Sequence, residues 1–321
     1  MATHSQRKGP SDLGFRLGTG IFALFVLALV AAIGLNLVWE SRQALVKFGF
    51  RFWRTSTWDP VAGEFGALPF IWGTLYSSLL ALLLATPISL GIAIFLAELC
   101  PRWLRPLLVF LTELLAAIPS VVYGLWAVFV LVPLVRALEA ATPAALRNTA
   151  LFHGPPVGVG MLSAGLILAI MVIPYTSSVA REILKAVPGS QREAAYGLGA
   201  TRFEAIQRVV HYGRVGIVGA VMLGLGRALG ETMAVTMVIG NNAQVSLSLY
   251  APSHTMAAVI ANEFAEAADD LHLNALIEIG LVLFLVTLVL NGLSRLLIWR
   301  MSRPPSRRVP ATTTALAEVT R

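Results

Sequence analysis

Apolar residues in this chain gather into six long runs separated by polar segments: Leu17 to Trp39, Phe70 to Ala97, Leu107 to Val135, Val157 to Ala180, Val215 to Asn241 and Leu273 to Trp299. A helix needs about 20 residues to cross the hydrocarbon core of a bilayer, and every run reaches that length. The pattern therefore predicts an all-α integral membrane protein with six transmembrane helices. Prolines fall inside three of the runs. Pro87 interrupts the second and Pro174 is expected to kink the fourth. Pro119, followed by Ser120, frees backbone carbonyls in the third, which reads either as a local break beside a pathway or as a simple kink.

The fifth run, VGIVGAVMLGLGRALGETMAVTMVIGN, carries Arg227 and Glu231 in its middle. A charge at the centre of a spanning helix costs about 2.5 to 3.5 kcal/mol on insertion scales, so two of them need compensation. Positions four apart stack on one helical face, where a guanidinium and a carboxylate can meet. Gly216, Ala220, Gly224 and Ala234 share that face and would let another helix approach closely. The pair reads either as a clamp between helices or as the charges of a permeation path for an anion. Glu113 and Ser120 are further candidates for such a path.

With 57% hydrophobic and 13% charged residues among 321, the chain lies far from soluble composition. Its net charge of +7 is spread between the runs and in the tails, without the basic, aromatic-interleaved patch of a nucleic-acid binder. Orientation accounts for it better. Arg181 to Arg214 holds Arg181, Lys185, Arg192, Arg202, Arg208 and Arg214, whereas Asn241 to His272 holds no Lys or Arg but has Glu263, Glu266, Asp269 and Asp270. Positive loops stay inside, so both termini are expected in the cytoplasm. Residues 1–16 form a cytoplasmic segment with Arg7 and Lys8, 17–39 an uncleaved first span, 40–69 an external loop, 70–299 the main transmembrane domain, and 300–321 a Pro-, Thr- and Arg-rich tail expected to be disordered. Arg42, Lys47, Arg51 and Arg54 in the external loop run against the charge rule. Either the topology differs there, or these cations face an anionic substrate or partner, or one short loop is outvoted.

The lone Cys100 excludes an internal disulfide and a cysteine-based metal cage. There is no HExxH, phosphate loop or GxGxxG signature. The five histidines are read as lying in loops or tails, so no catalytic constellation, metal site or cofactor is expected, and the chain should not hydrolyse ATP itself. The inner loop instead carries two helix starts. Ser190 to Glu193 and Thr201 to Glu204 both have the form of a capping box, and Gly199 can end the first helix in the left-handed conformation. The expected product is a short helix across the membrane base, with small residues at Ala194, Ala195, Gly197 and Gly199 leaving it low enough to fit a groove in another protein.

Glu193-Ala194-Ala195, three residues, then Gly199 resembles the EAA signature of permease subunits in bacterial ABC importers. EAAYGLGATRFEAI around it, GAVMLGLGRALGETMAVTMVIGN, AAIPSVVYGLW and GEFGALPFIWGTL together resemble the PstC-type permease family of high-affinity phosphate importers, from Trp58 to the last helix. One departure is the end of the EAA region, where the family's Ile-x-Leu-Pro is replaced by Val209-Val210-His211-Tyr212. The resemblance implies a type I importer permease fold with a cytoplasmic coupling helix in a bacterial inner membrane. It also implies a homologous second permease subunit, two ATP-binding subunits docking at Glu193, Ala194, Ala195, Gly199 and Thr201, and an external phosphate-binding protein meeting Asn241, Asn242, Glu263 and Glu266. Arg227 would attract phosphate and Glu231 would neutralise it when the path is empty. Rival expectations are a permease for another oxyanion, sulfate or molybdate, and a secondary transporter driven by an ion gradient; the latter would show paired broken helices in two halves, and no internal repeat is seen.

Overall fold

The computed structural model describes residues 10–302. The basic residues Arg7 and Lys8 and most of the expected tail, with Arg303, Arg307 and Arg308, lie outside them. Thirteen α-helices follow one another in the described residues: α1 (Pro10–Glu40), α2 (Arg42–Phe48), α3 (Leu68–Ile94), α4 (Arg105–Ala117), α5 (Ser120–Trp126), α6 (Val132–Ala140), α7 (Ala144–Arg147), α8 (Met161–Ala186), α9 (Gly189–Gly197), α10 (Arg202–Leu229), α11 (Met233–Thr236), α12 (Met256–Glu263) and α13 (Asp270–Ser302). A π-helical turn, Phe95–Leu99, extends α3, and another, Ala127–Leu131, joins α5 to α6. Among the described residues six segments are long and apolar enough to cross a membrane: Gly14–Glu40, Leu68–Leu99, Ser120–Ala140, Met161–Ala186, Arg202–Leu229 and Asp270–Ser302.

Their number matches the six apolar runs, but two boundaries do not. The third run is broken rather than kinked. Ile118 (ψ 130°) and Pro119 (ψ 140°) are extended, because a proline ring pushes the residue before it out of helical space, so α4 stops and α5 starts afresh at Ser120. Pro87 and Pro174, by contrast, sit inside α3 and α8 without ending them. The fifth span begins at Arg202 and ends at Leu229, not at Val215 and Asn241. Twenty-eight helical residues rise about 42 Å, which already covers the bilayer. The apolar remainder of that run leaves the helix, and Ala234, Val235, Val238 and Ile239 are buried. The breaks on either side of the short helix α11 are tolerated among apolar surroundings only where protein covers them.

The chain forms two compact units. One gathers residues up to Leu79 with Pro119–Leu168 and Leu229–Thr287. Its core joins Phe52, Phe65 and Phe70 to Met256, Val259, Leu276 and Ile279, so the expected external loop 40–69 is folded onto α12 and α13 rather than being simply polar. Trp58 packs edge-on against Phe65 and Phe70, with centroids 4.8 and 4.9 Å apart, and donates its indole N–H to Glu263 at 2.9 Å. Segment 238–251 closes the start of α8: the N–H groups of Gly160, Met161 and Leu162, which lack partners inside the helix, donate to the carbonyls of Val238, Ala251 and Leu249. α5 packs on α11 at Gly124, where a Cβ would stand 2.5 Å from Met237 Sδ and 3.1 Å from Ala234 Cα. Only glycine permits that approach.

The other unit holds Leu80–Ile118, Ala169–Ala228 and the residues from Leu288. Ala93, Ala180, Leu184, Val187, Val209, Ile217 and Ala220 form its core, tying the far end of α3 to α8 and α10. Gly216 faces Ile183, and Gly224 faces Thr176 and Val172, so two of the expected small positions do serve close helix packing. Two histidines placed in loops by sequence prove helical: His211 lies in α10 and His272 in the first turn of α13.

Candidate functional site

The short helix expected after Pro188-Gly189 is present as α9, but Ser190 does not start it. Pro188, at φ −54° and ψ 137°, is the N-cap, no side-chain cap bond is made, and Ser190 and Glu193 lie inside the helix. Its end follows expectation. Gly199 takes φ +80°, its N–H donates to Tyr196 O at 2.9 Å, and Ala200 N–H donates to Ala195 O at 3.1 Å. These are the two bonds of a Schellman motif. Thr201 then opens α10 with a reciprocal box, its N–H donating to Glu204 Oε2 at 2.7 Å and Glu204 N–H donating to Thr201 Oγ1 at 3.4 Å. Glu193, Ala194, Gly199 and Thr201 are exposed while Ala195 is buried. Ala195, Leu198, Gly199, Glu204, Arg208 and His211 line a cavity of about 560 Å³. Leu198, 90% exposed beside it, is the kind of unburied anchor that a partner surface covers.

Arg192, absent from the expected docking set, fixes α9 in place. Its guanidinium spans Glu98, with Nη2 to Oε1 at 2.5 Å and Nε to Oε2 at 3.2 Å, and also donates to the carbonyls of Val187 at 2.8 Å and Leu184 at 3.0 Å. One side chain thus joins α9 to the π-helical turn after α3 and to the end of α8. The bonds to Glu98 hold the arginine's pKa above its ordinary value against the opposing pull of burial. Arg202 adds a bond to the backbone carbonyl of Glu98 at 3.0 Å. Sequence reading took Arg192 only as a topology charge. A partner ninety-four residues upstream leaves no local pattern.

The central charges sit differently from expectation. Arg227 lies in the last turn of α10, and Glu231 lies beyond that helix, so the four-residue helical stack does not form. Arg227 is half-buried, with its guanidinium 5.9 Å from the Tyr175 ring centroid and its Nε buried without a hydrogen-bond partner. Glu231 accepts the N–H of Ala234 at 3.4 Å, at the start of α11. Ser120 opens α5, the helix on which α11 packs. Glu113 is exposed and pairs with Arg181 at 3.3 Å. Arg181, expected as a loop cation, is instead a 5%-exposed residue within α8 that also pairs with Glu182 at 2.7 Å, leaving Nε and Nη1 without partners. Glu278 was missed altogether. It is fully buried in α13 with neither carboxylate oxygen partnered, and its only signal was being the one acid inside the apolar run Leu273 to Trp299.

Of the residues expected to meet a binding protein, Asn241, Asn242 and Glu266 are exposed and Glu263 is half-buried. Asn241 takes φ +50° and donates to Thr236 O at 3.1 Å, while Asn242 N–H donates to Ser253 O. Glu263 is committed to Trp58 and to His272, 3.0 Å away. Among the described residues no group of three or more His, Cys, Asp or Glu could hold a metal ion.

Six apolar spans among the described residues define a multi-pass membrane protein. Residues 89–303 match the family described as the binding-protein-dependent transport system inner membrane component, and the chain belongs to that family. It is 48% identical over 305 residues to the phosphate transport system permease protein PstC of Pasteurella multocida, covering 92% of this chain and 94% of that one. Identity to PstC of Mesorhizobium japonicum is 45% over 297 residues, 91% of each chain, and to the probable PstC of Methanocaldococcus jannaschii 35%, covering 87% and 91%. Among solved structures, a chain of the MetNI methionine ABC transporter aligns with a TM-score of 0.58 at 13% identity, covering 77% of this chain and all of that one. The fold is accordingly that of a type I ABC importer permease.

Proposed function

We propose that this chain is a permease subunit of an ATP-driven importer of inorganic phosphate, seated in a bacterial inner membrane with both termini in the cytoplasm. The observation that carries the reading is the near full-length similarity to PstC proteins, which are phosphate transport system permeases. The rigid, exposed α9 supports a division of labour in which hydrolysis takes place elsewhere: two ATP-binding subunits dock on Glu193, Ala194, Ala195, Gly199 and Thr201. A homologous second permease completes the pathway, and a phosphate-binding protein delivers substrate at the opposite face, near Asn241, Asn242 and Glu266.

In the pathway Arg227 receives the anion. A guanidinium stays charged at any cellular pH and offers a planar fork of donors to phosphate oxygens. No described ion pair involves Arg227, whose guanidinium lies 5.9 Å from the Tyr175 ring centroid, so its charge is not committed to a carboxylate. Losing charge-assisted bonds of this kind costs about 2 kcal/mol, or roughly thirtyfold. Arg227→Gln should therefore cut phosphate uptake into proteoliposomes by about that factor while the complex still assembles. Uptake at the wild-type rate overturns the role of Arg227. Uptake of sulfate or molybdate but not phosphate by the wild-type complex overturns the choice of substrate.

A further inference from the structure

Four cations between positions 42 and 54 stand on the proposed outer face, against the charge rule, and the described ion pairs include none of them. Arg42 lies over Trp39 at 4.9 Å, Lys47 over Phe48 at 5.2 Å, and Arg54 over Phe50 at 5.4 Å. Arg51 and Arg54 differ from the other two in what holds them. Between them Phe52 is fully buried in the core, and its carbonyl accepts from Ala67 N–H at 2.7 Å. The Arg51 carbonyl accepts from the N–H groups of Arg54 and Thr55 and from Thr55 Oγ1 at 2.8 Å. The backbone under the two arginines is therefore fixed, and a three-residue spacing on a helical turn sets both side chains on one side. With Phe50 and Thr55 they line an open surface depression of about 200 Å³.

That volume lies below the roughly 300 Å³ where sites for drug-sized ligands begin. Two permanently charged forks in so small a space suit one compact polyvalent oxyanion, whose several oxygens can engage both, better than a single carboxylate. We propose that Arg51 and Arg54 form a binding site for a phosphate group. The group can come from the headgroup of an anionic phospholipid, for which Phe50 and Val46, 72% and 88% exposed, offer apolar neighbours, or from free inorganic phosphate. The free-anion source rests on the transport reading above; the lipid source does not.

The test uses the purified full importer complex. Native mass spectrometry counts phosphatidylglycerol retained from mixed micelles, and thermal shift follows inorganic phosphate titrated against chloride at constant ionic strength. The variants are Arg51→Gln/Arg54→Gln, the charge-keeping Arg51→Lys/Arg54→Lys, and Arg42→Gln/Lys47→Gln as a control that removes equal charge from the same loop. The Gln pair should weaken one of the two probes about tenfold or more, the Lys pair severalfold, and the control little. Which probe responds names the source. Equal binding by the Gln pair and wild type, an equal loss in the control, or no binding of either probe overturns the site, as does a loss confined to affinity for the partner binding protein. Lipid retention that depends on the arginines in a complex that imports no phosphate would keep the site and remove the transport reading.

Discussion

Arg192 ties α9 to the end of α8 and to the π-helical turn after α3, and on the proposed docking role of α9 its removal should be felt in coupling before it is felt in folding. Arg192 is 25% and Glu98 13% exposed along their side chains, so the pair lies between the fully buried case, where breaking it costs about 3 to 5 kcal/mol, and the surface case of about 0 to 1 kcal/mol. About 2 kcal/mol for the pair, and about 1 kcal/mol more for the orphaned carbonyls of Val187 and Leu184, gives about 3 kcal/mol for Arg192→Ala. Glu98→Gln should cost about 2 kcal/mol, and a double-mutant cycle should return a coupling near 1.5 to 2 kcal/mol. Cys100, two residues from Glu98, buried and the chain's single cysteine, supplies the probe. In a complex with cysteine-free partners, opening of the clamp by about 2 kcal/mol should raise its labelling by a thiol-reactive dye about thirtyfold. ATP hydrolysis should persist while uptake falls. A coupling energy below about 0.5 kcal/mol, or unchanged labelling of Cys100, would refute the clamp.

Three further outcomes follow from the geometry. Glu231→Gln should leave phosphate uptake within a few-fold of wild type in the same proteoliposome assay, since the Gln carbonyl can still accept the Ala234 N–H; a loss as deep as that of Arg227→Gln would restore the exchange of partners expected from the sequence. Thr201→Ala removes the cap of α10 and should cost about 1 kcal/mol, read as faster hydrogen exchange at residues 202–205 with the transmembrane helices unchanged. His254, buried against Phe70 with Nδ1 unpartnered, has its pKa pushed down to about 4 by burial, so the folded chain binds fewer protons than the unfolded one between pH 6.5 and 4. Stability is then complete above pH 6.5 and falls by about 2 kcal/mol on going to pH 5; the melting temperature of wild type should drop over that interval and that of His254→Leu should not.

Hydropathy made the six spans legible, and local chemistry made the end of α9 and the start of α10 legible, because Gly199 and the Thr201–Glu204 box act within a few residues of themselves. Ser190 shows the limit of such motifs. It has the same form as Thr201, but Pro188, two residues earlier, already supplies the extended cap and a fixed φ, so the helix starts before the serine can cap it. The long-range partners were out of reach. Arg192 with Glu98, Arg181 with Glu113 and Trp58 with Glu263 join residues that only the fold brings together. Charge counts could say that Arg181 belongs near an inner surface; they could not say that it is buried inside α8.

The run from Val215 to Asn241 is apolar for two different reasons, and this is why its helix end could not be read. Up to Leu229 the residues are those of a spanning helix; from Ala234 to Ile239 they belong to the short helix α11 and the turn after it, where Ala234, Val235, Val238 and Ile239 are buried, and hydropathy scores both alike. The boundary changes the electrostatics of the candidate path. A cation in the last turn of a helix is favoured by the unpaired carbonyls there, by about 0.3 to 1 kcal/mol and up to about 2 kcal/mol when partly buried. Arg227 occupies that position in α10, and the Tyr175 ring adds a further favourable face. Glu231 meanwhile has work of its own at the start of α11. The cation is thus held by a helix end and a ring rather than by a carboxylate. On the proposed role of Arg227 as the receiver of the anion, an arriving oxyanion would have no carboxylate to displace, unlike in the ion pair the spacing suggested.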